Sequence, residues 1–219
     1  MPRHPEKLVT VLGTAYFQPI TDLIDRLLRR KPHRPNRVKS SHDENGYSVA
    51  TILLLVAMFE SYVSRVRFVQ PAKIKNSARS ALDVVLSVFP RLRHRVALEE
   101  VYVLRDLLMH SHLWEIEYEW GGPVPMQLKK ATLHPWYGDK KFRNRVNMTT
   151  YRTKALGLAV FPLRIYRRDL LKVFDTLWKT LLRFEAQDLN QCGVSYLHVR
   201  FRGHSVLFGS LRDEIEKAL

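Results

Sequence analysis

The chain has 219 residues, 46% of them hydrophobic and 26% charged. That is the mix of a soluble globular protein, sized for one medium domain or one domain with additions. It excludes collagen-like, low-complexity and wholly disordered chains. With 36 Lys and Arg against 21 Asp and Glu, the formal net charge is +15. Such an excess favours polyanionic partners, nucleic acid before anionic membrane, with a basic but inert surface as the alternative.

Cys192 is the single cysteine, which excludes an internal disulfide. It reads as a small buried hydrophobe, since Gln191-Cys192-Gly193 fits no nucleophile motif. The opening MPRHPEKLVTVLG lacks the layout of a secretory leader. The most apolar run, residues 50–59, is interrupted by Glu60 and is about half the length of a bilayer crossing. A soluble cytoplasmic protein with no membrane partner is the expectation.

Ile20, Leu23, Ile24, Leu27 and Leu28 fall at helical spacing, with Thr21 or Asp22 near the start. Pro32 stops this short helix. The polar stretch HRPNRVKSSHDENG, residues 33–46, reads as a surface linker. Ser48 is a plausible N-cap for a long helix to about residue 69, with Ile52, Val56, Phe59 and Val63 on one face. A second helix is expected over 77–89, with Ala78, Leu82, Val85 and Phe89 inward, closed by Pro90. A third is expected over 96–114, with Ala97, Val101, Leu104 and Leu108 on one stripe. Three helices with short connections predict an antiparallel helical bundle.

After Trp114 the period changes. WEIEYEW alternates like a half-exposed strand, and Gly121-Gly122-Pro123 is turn chemistry. The following basic stretch, to about residue 165, reads as an insertion of short strands and loops. A long helix is expected over 166–188, with Leu170, Val173, Phe174, Leu177, Leu181 and Phe184 inward. VSYLHVRFRGHSVLFG alternates around Arg202-Gly203-His204 as a hairpin would, and LRDEIEKAL forms a last short helix. The expected fold is mainly α. It divides into an N-terminal helix and basic linker (1–46), a helical bundle (47–189) with an insertion at about 115–165, and a C-terminal α/β extension (190–219).

The chain has no phosphate-binding glycine loop, HExxH, zinc cysteine set or nucleophile elbow. His110 and His112 lie about 200° apart on a regular helix, so they do not share a metal from one. The third helix places Glu99, Asp106 and His110 opposite its core stripe, with Arg105 at the flank. Asp106 and His110 are four residues apart, so a carboxylate could orient the imidazole. Arg105 offers a guanidinium, the group best shaped for phosphate oxygens. It stands about 140° from His110 around the axis, so convergence needs a cleft or two facing copies of the helix. A solvated polar face is the alternative reading.

Arg105-Asp106-Leu107-Leu108-Met109-His110 resembles the R-x4-6-H motif of the HEPN-domain superfamily, in which Asn, Asp or His commonly follows the arginine. ATILLLVAMFESYVSRVRF resembles that family's first long helix, with Glu60 at its acidic position. The resemblance covers about residues 47–114, and the helix over 166–188 would complete a four-helix bundle. It implies a metal-independent endoribonuclease without cofactor, of the toxin–antitoxin or phage-defence type, built as a homodimer with one composite cleft. His110 would then be the general acid/base and Arg105 the charge stabiliser, with Asp106 tuning the pair and Glu60 positioning a neighbour. RNA is the implied substrate, because its 2′-hydroxyl is the nucleophile. An antitoxin protein is a further implied partner. In toxins modified by a nucleotidyltransferase, a tyrosine stands two places after the histidine; here His112 stands there. Lys140, Lys141, Arg143, Arg145, Arg200 and Arg202 mix with aromatics in two basic stretches and are candidate RNA contacts. The rival expectations are a non-catalytic HEPN-like dimerisation or nucleic-acid-binding module, and a groove-binding regulator.

Overall fold

A computed structural model describes residues 12–32, 44–110, 114–121, 126–133, 140–187 and 192–219. A 3-10 turn, Leu12–Tyr16, leads into α1, Phe17–Leu28, whose Phe17, Ile20, Ile24 and Leu27 are buried. The long helix α2, Glu44–Val69, buries Ile52, Val56, Phe59 and Val63 as the spacing predicts. It packs against α1 and three later helices: α3 (Ala81–Val88), α4 (Arg95–Met109) and α6 (Arg167–Gln187). By length and composition α2 could cross a membrane, but half of its most apolar window is buried within the protein. Its hydropathy is accounted for by its place at the centre of the core.

The protein is mainly α, and its helix limits differ from the periodicity in instructive ways. The expected linker over 33–46 lies outside the described residues up to residue 43; from Glu44 onward the chain is already helical. Ser48 is therefore a buried residue inside α2, not its cap. The early start has a cause. Glu44 is buried and accepts the Arg167 backbone N–H at 3.1 Å and its Nε at 2.8 Å. Arg167 also donates to the carbonyls of Arg30 and Ala218, so one side chain ties α1, α2, α6 and the C-terminus.

Helix α3 begins four residues later than expected. Ser80 and Asp83 form a reciprocal capping box that fixes its first turn. Helix α4 ends at Met109, not Trp114. Trp114 instead opens strand β1, Trp114–Trp120, with its ring against Tyr151 and Phe161. Strand β2, Met126–Leu133, pairs antiparallel with β1, with a bulge between Glu117 and Tyr118. Gly121 has φ +104, while Gly122 and Pro123 of the expected turn lie outside the described residues.

The inserted segment continues with α5 (Lys140–Arg145) and the two-residue strands β3 (Val146–Asn147) and β4 (Arg152–Thr153). It is not a loose excursion. Phe142, Val146, Val160 and Leu133 form a second small core with Val103 and Leu107 of α4. Buried Glu100 of α4 accepts the backbone N–H groups of Ala155 and Leu156, both at 2.7 Å. These contacts explain why α4 buries Leu98 and Leu107 as well as Val101 and Leu104, leaving Ala97 and Leu108 half-buried. The helix is covered on two sides.

In α6 all six residues expected inward are buried. Strands β5 (His198–Phe201) and β6 (His204–Leu207) form the expected hairpin. Arg202 at φ +50 and Gly203 at φ +85 make its two-residue turn, where glycine tolerates the left-handed backbone. Helix α7, Leu211–Glu216, closes the chain against α6 and α1.

Candidate functional site

The candidate site forms where α2 and the C-terminal half of α4 touch. Arg105 donates through one terminal nitrogen to Glu60 of α2 at 2.7 Å. Its other terminal nitrogen lies 2.8 Å from Asp106 Oδ1. The guanidinium carbon sits 5.4 Å from the Tyr102 ring centroid, one helical turn below. The Arg105 side chain is 28% exposed, against 36% for Glu60 and 42% for Asp106. The cluster is therefore partly open to solvent.

The Tyr102 hydroxyl and Arg105 Nε are buried and have no hydrogen-bond partner among the described residues. Burial, reinforced by the Glu60 carboxylate, pushes the Tyr102 hydroxyl pKa up. It is a neutral donor in this site. Sequence reasoning missed Tyr102; its signal was a tyrosine three residues before Arg105, on the same side of the helix.

His110 is exposed and stands at the C-cap of α4, where its backbone N–H reaches Asp106 O at 3.0 Å. Its φ and ψ, −101° and 21°, have left the helix. The expected Asp106–imidazole pairing does not form: Asp106 turns to Arg105, and the His110 ring makes no hydrogen bond among the described residues. His112, Ser111 and the connection to β1 lie outside the described residues. Glu60, Arg105 and Asp106 thus come together, with His110 at the end of the same helix.

Glu99 is not on a solvated face, as the helical wheel suggested. It is only 8% exposed, held between Arg95 at 2.8 Å and Arg145 of α5. The insertion brought Arg145 over it, which no local spacing could signal. Lys140 and Arg143 are exposed on α5, and the Lys141 side chain lies outside what is described. Arg145 thus carries an internal ion pair.

At the other basic stretch, Arg200 is exposed on β5. Its backbone N–H and carbonyl both bond to the Gln18 side chain at 2.9 Å, fastening the hairpin to α1. Arg202 stacks 4.9 Å from the Phe201 ring centroid and reaches Asp25 at 3.2 Å. Burial alone would raise the Asp25 carboxyl, but hydrogen bonds from Arg29 and Arg202 outweigh it and hold it below its ordinary value. The first basic stretch packs against α4 and the second against α1.

Buried Cys192 has its thiol pushed up to about 12 by desolvation, the behaviour of an inert core cysteine. Among the described residues no group of three or more His, Cys, Asp or Glu side chains is placed to hold a metal ion. No family model matches the chain, and neither a curated protein nor a solved structure matches it.

Proposed function

We propose that this chain is a HEPN-like, metal-independent endoribonuclease of a toxin–antitoxin or phage-defence system. Its bundle is α2, α3, α4 and α6, and it acts in the cytoplasm as a homodimer. The observation that carries the reading is the 2.7 Å contact between Arg105 and Glu60. The resemblance rests on two separate stretches, a first long helix with an acidic residue and a third helix with the R-x4-6-H motif. Those two signature residues, 45 apart in sequence, meet in space. His110 then stands exposed at the end of the same helix.

The reaction is transesterification. The RNA 2′-oxygen attacks the adjacent phosphorus, the bond from phosphorus to the 5′-oxygen breaks, and a 2′,3′-cyclic phosphate is left. A proton leaves the 2′-hydroxyl and another reaches the departing 5′-oxygen. In a homodimer two copies of His110 divide that work, one accepting and one donating. Arg105 stabilises the charge that develops on the phosphate oxygens. Glu60 and Asp106 hold the guanidinium in place. An antitoxin protein is the expected regulator.

One observation favours a second reading. Arg105 already pairs with two carboxylates, Glu60 and Asp106, which outweigh its single charge. A purely structural ion-pair cluster would look the same, and the chain would then be a non-catalytic dimerisation or nucleic-acid-binding module. Incubating the purified protein in EDTA with an RNA and with DNA of the same sequence separates the two. The nuclease cuts only the RNA and leaves cyclic phosphate ends; the module leaves both intact.

A further inference from the structure

A groove of about 660 Å³ runs between α3, the N-terminal half of α4 and α5, lined among others by Arg95, Glu99, Lys140, Asn144 and Arg145. A smaller cavity of about 300 Å³ adjoins it, sharing Asp83, Leu86 and Arg95 and adding Lys75. The groove lies away from the Arg105 cluster, which occupies the other half of α4.

Its charges are arranged and not merely abundant. Glu99 gives one carboxylate oxygen to Arg95 and the other to Arg145. Arg95 uses only Nε in that bond, so both of its terminal nitrogens have no partner among the described residues. Its side chain is 56% exposed, and that of Arg145 is 32% exposed. One buried carboxylate therefore orients two guanidinium groups toward the same space and leaves them a net positive charge. The other acid at the groove, Asp83, is committed to the α3 capping box through the N–H groups of Arg79 and Ser80. Lys140 and Lys75 add exposed positive charge at the rim.

We propose that this groove binds the phosphodiester backbone of single-stranded RNA, with Arg95 and Arg145 as a phosphate clamp organised by Glu99. Guanidinium groups fixed in advance lose little freedom on taking a phosphate. The volume is that of a small-ligand cleft, so it takes a few nucleotides of one strand and not the width of a duplex. Around α4, Arg95, Glu99 and Asp106 lie within about 40° of one another, and Glu99 is about 10 Å along the axis from Asp106. A strand held by the clamp is thereby directed along α4 toward Asp106 and His110. This direction rests on the ribonuclease reading; binding in the groove does not.

The test uses the full chain with His110→Ala, so that RNA stays intact. A labelled single-stranded 12-mer RNA is titrated at several salt concentrations into this protein and into versions that add Arg95→Gln with Lys140→Gln, or Lys217→Gln as control. Both groove residues are exposed, and the Arg145–Glu99 pair survives, so the fold is retained; circular dichroism checks it. The groove variant should bind about tenfold more weakly at 0.1 M salt, and its slope of log affinity against log salt should flatten by about 1.4, two phosphates at about 0.7 each. The control should be unchanged. Equal affinity and slope in the groove variant would overturn the proposal, as would a duplex RNA that competes as well as the single strand. Retained RNA binding by a parent protein that cuts nothing would instead overturn the nuclease reading while leaving the groove standing.

Discussion

Arg105 of α4 and Glu60 of α2 form an ion pair at 2.7 Å across the helix interface. The pair is partly solvated, so its share of stability is small, about 0.5 kcal/mol or less. Its value lies in orientation. With Tyr102 beneath and Asp106 beside it, the guanidinium has one position. On the proposed nuclease reading, Glu60→Ala should lower kcat for RNA cleavage about tenfold with little change in KM, because misplacing a charge stabiliser costs the transition state most. Thermal unfolding should move by only a few degrees. A normal kcat with a large fall in Tm would assign Glu60 to packing alone.

On the proposed nuclease reading, Arg105→Ala removes the charge stabiliser and should cost about 10²- to 10³-fold in kcat. Arg105→Lys should recover little, since an ammonium cannot span two phosphate oxygens as a guanidinium does. Single-turnover cleavage of one defined RNA measures both variants.

Glu44 and Arg167 are 1% and 5% exposed in their side chains, a buried ion pair at 2.8 Å. Arg167→Met removes the guanidinium from the buried Glu44 carboxylate and should destabilise by about 3–5 kcal/mol. Adding Glu44→Gln to it should return at least half of that loss. Denaturant midpoints of the two variants decide it; equal midpoints would mean that the pair does not hold α2 to α6.

His94 stands just before α4, with Nε2 2.8 Å from Thr180 Oγ1 of α6. Thr180 donates its own hydroxyl proton to Thr176 O, so His94 Nε2 carries the proton they share. Burial, with Arg183 and Lys179 adding to it, holds the imidazole pKa below its ordinary 6.5. The unfolded chain therefore binds a proton at this site before the folded one does. Its contribution is present above about pH 6.5 and is lost as pH falls from there through the lower folded value. His94→Gln should flatten the fall in stability between pH 7 and 5, measured by denaturant unfolding at each pH. An unchanged profile would place the titration elsewhere.

At Gly209 an added Cβ would lie 2.8 Å from the Trp178 ring. That ring is buried beside Phe208 and cannot give way freely. Gly209→Ala should cost about 1–3 kcal/mol by overpacking the contact between the C-terminal segment and α6.

The helices were legible wherever apolar residues fill the buried positions. In α6 and α2 the inward residues repeat at helical spacing, and all of those read from the sequence are buried. Helix α4 was harder because the inserted segment covers its second side. That put Glu99 and Glu100 in the interior, where their partners, Arg145 and the N–H groups of Ala155 and Leu156, come from 46 to 56 residues away. No periodicity reports such distant pairs. Arg105 stood out from its place at the flank of the helix and Glu60 from the resemblance, whereas Tyr102 and Arg95 stayed hidden among ordinary helix residues. The hairpin turn at Arg202-Gly203 was plain because it depends on local backbone chemistry alone.

On the proposed nuclease reading, His110 transfers the proton in a metal-free cleavage of RNA. The most direct measurement is the rate at which the parent and its His110→Ala form cut mixed RNA in EDTA, with the product ends identified. The parent alone should cleave, leaving 2′,3′-cyclic phosphate ends, with at least a 100-fold loss in the variant, about the contribution of one general acid/base. Equal cleavage by both proteins, or intact RNA with a folded parent, would contradict it.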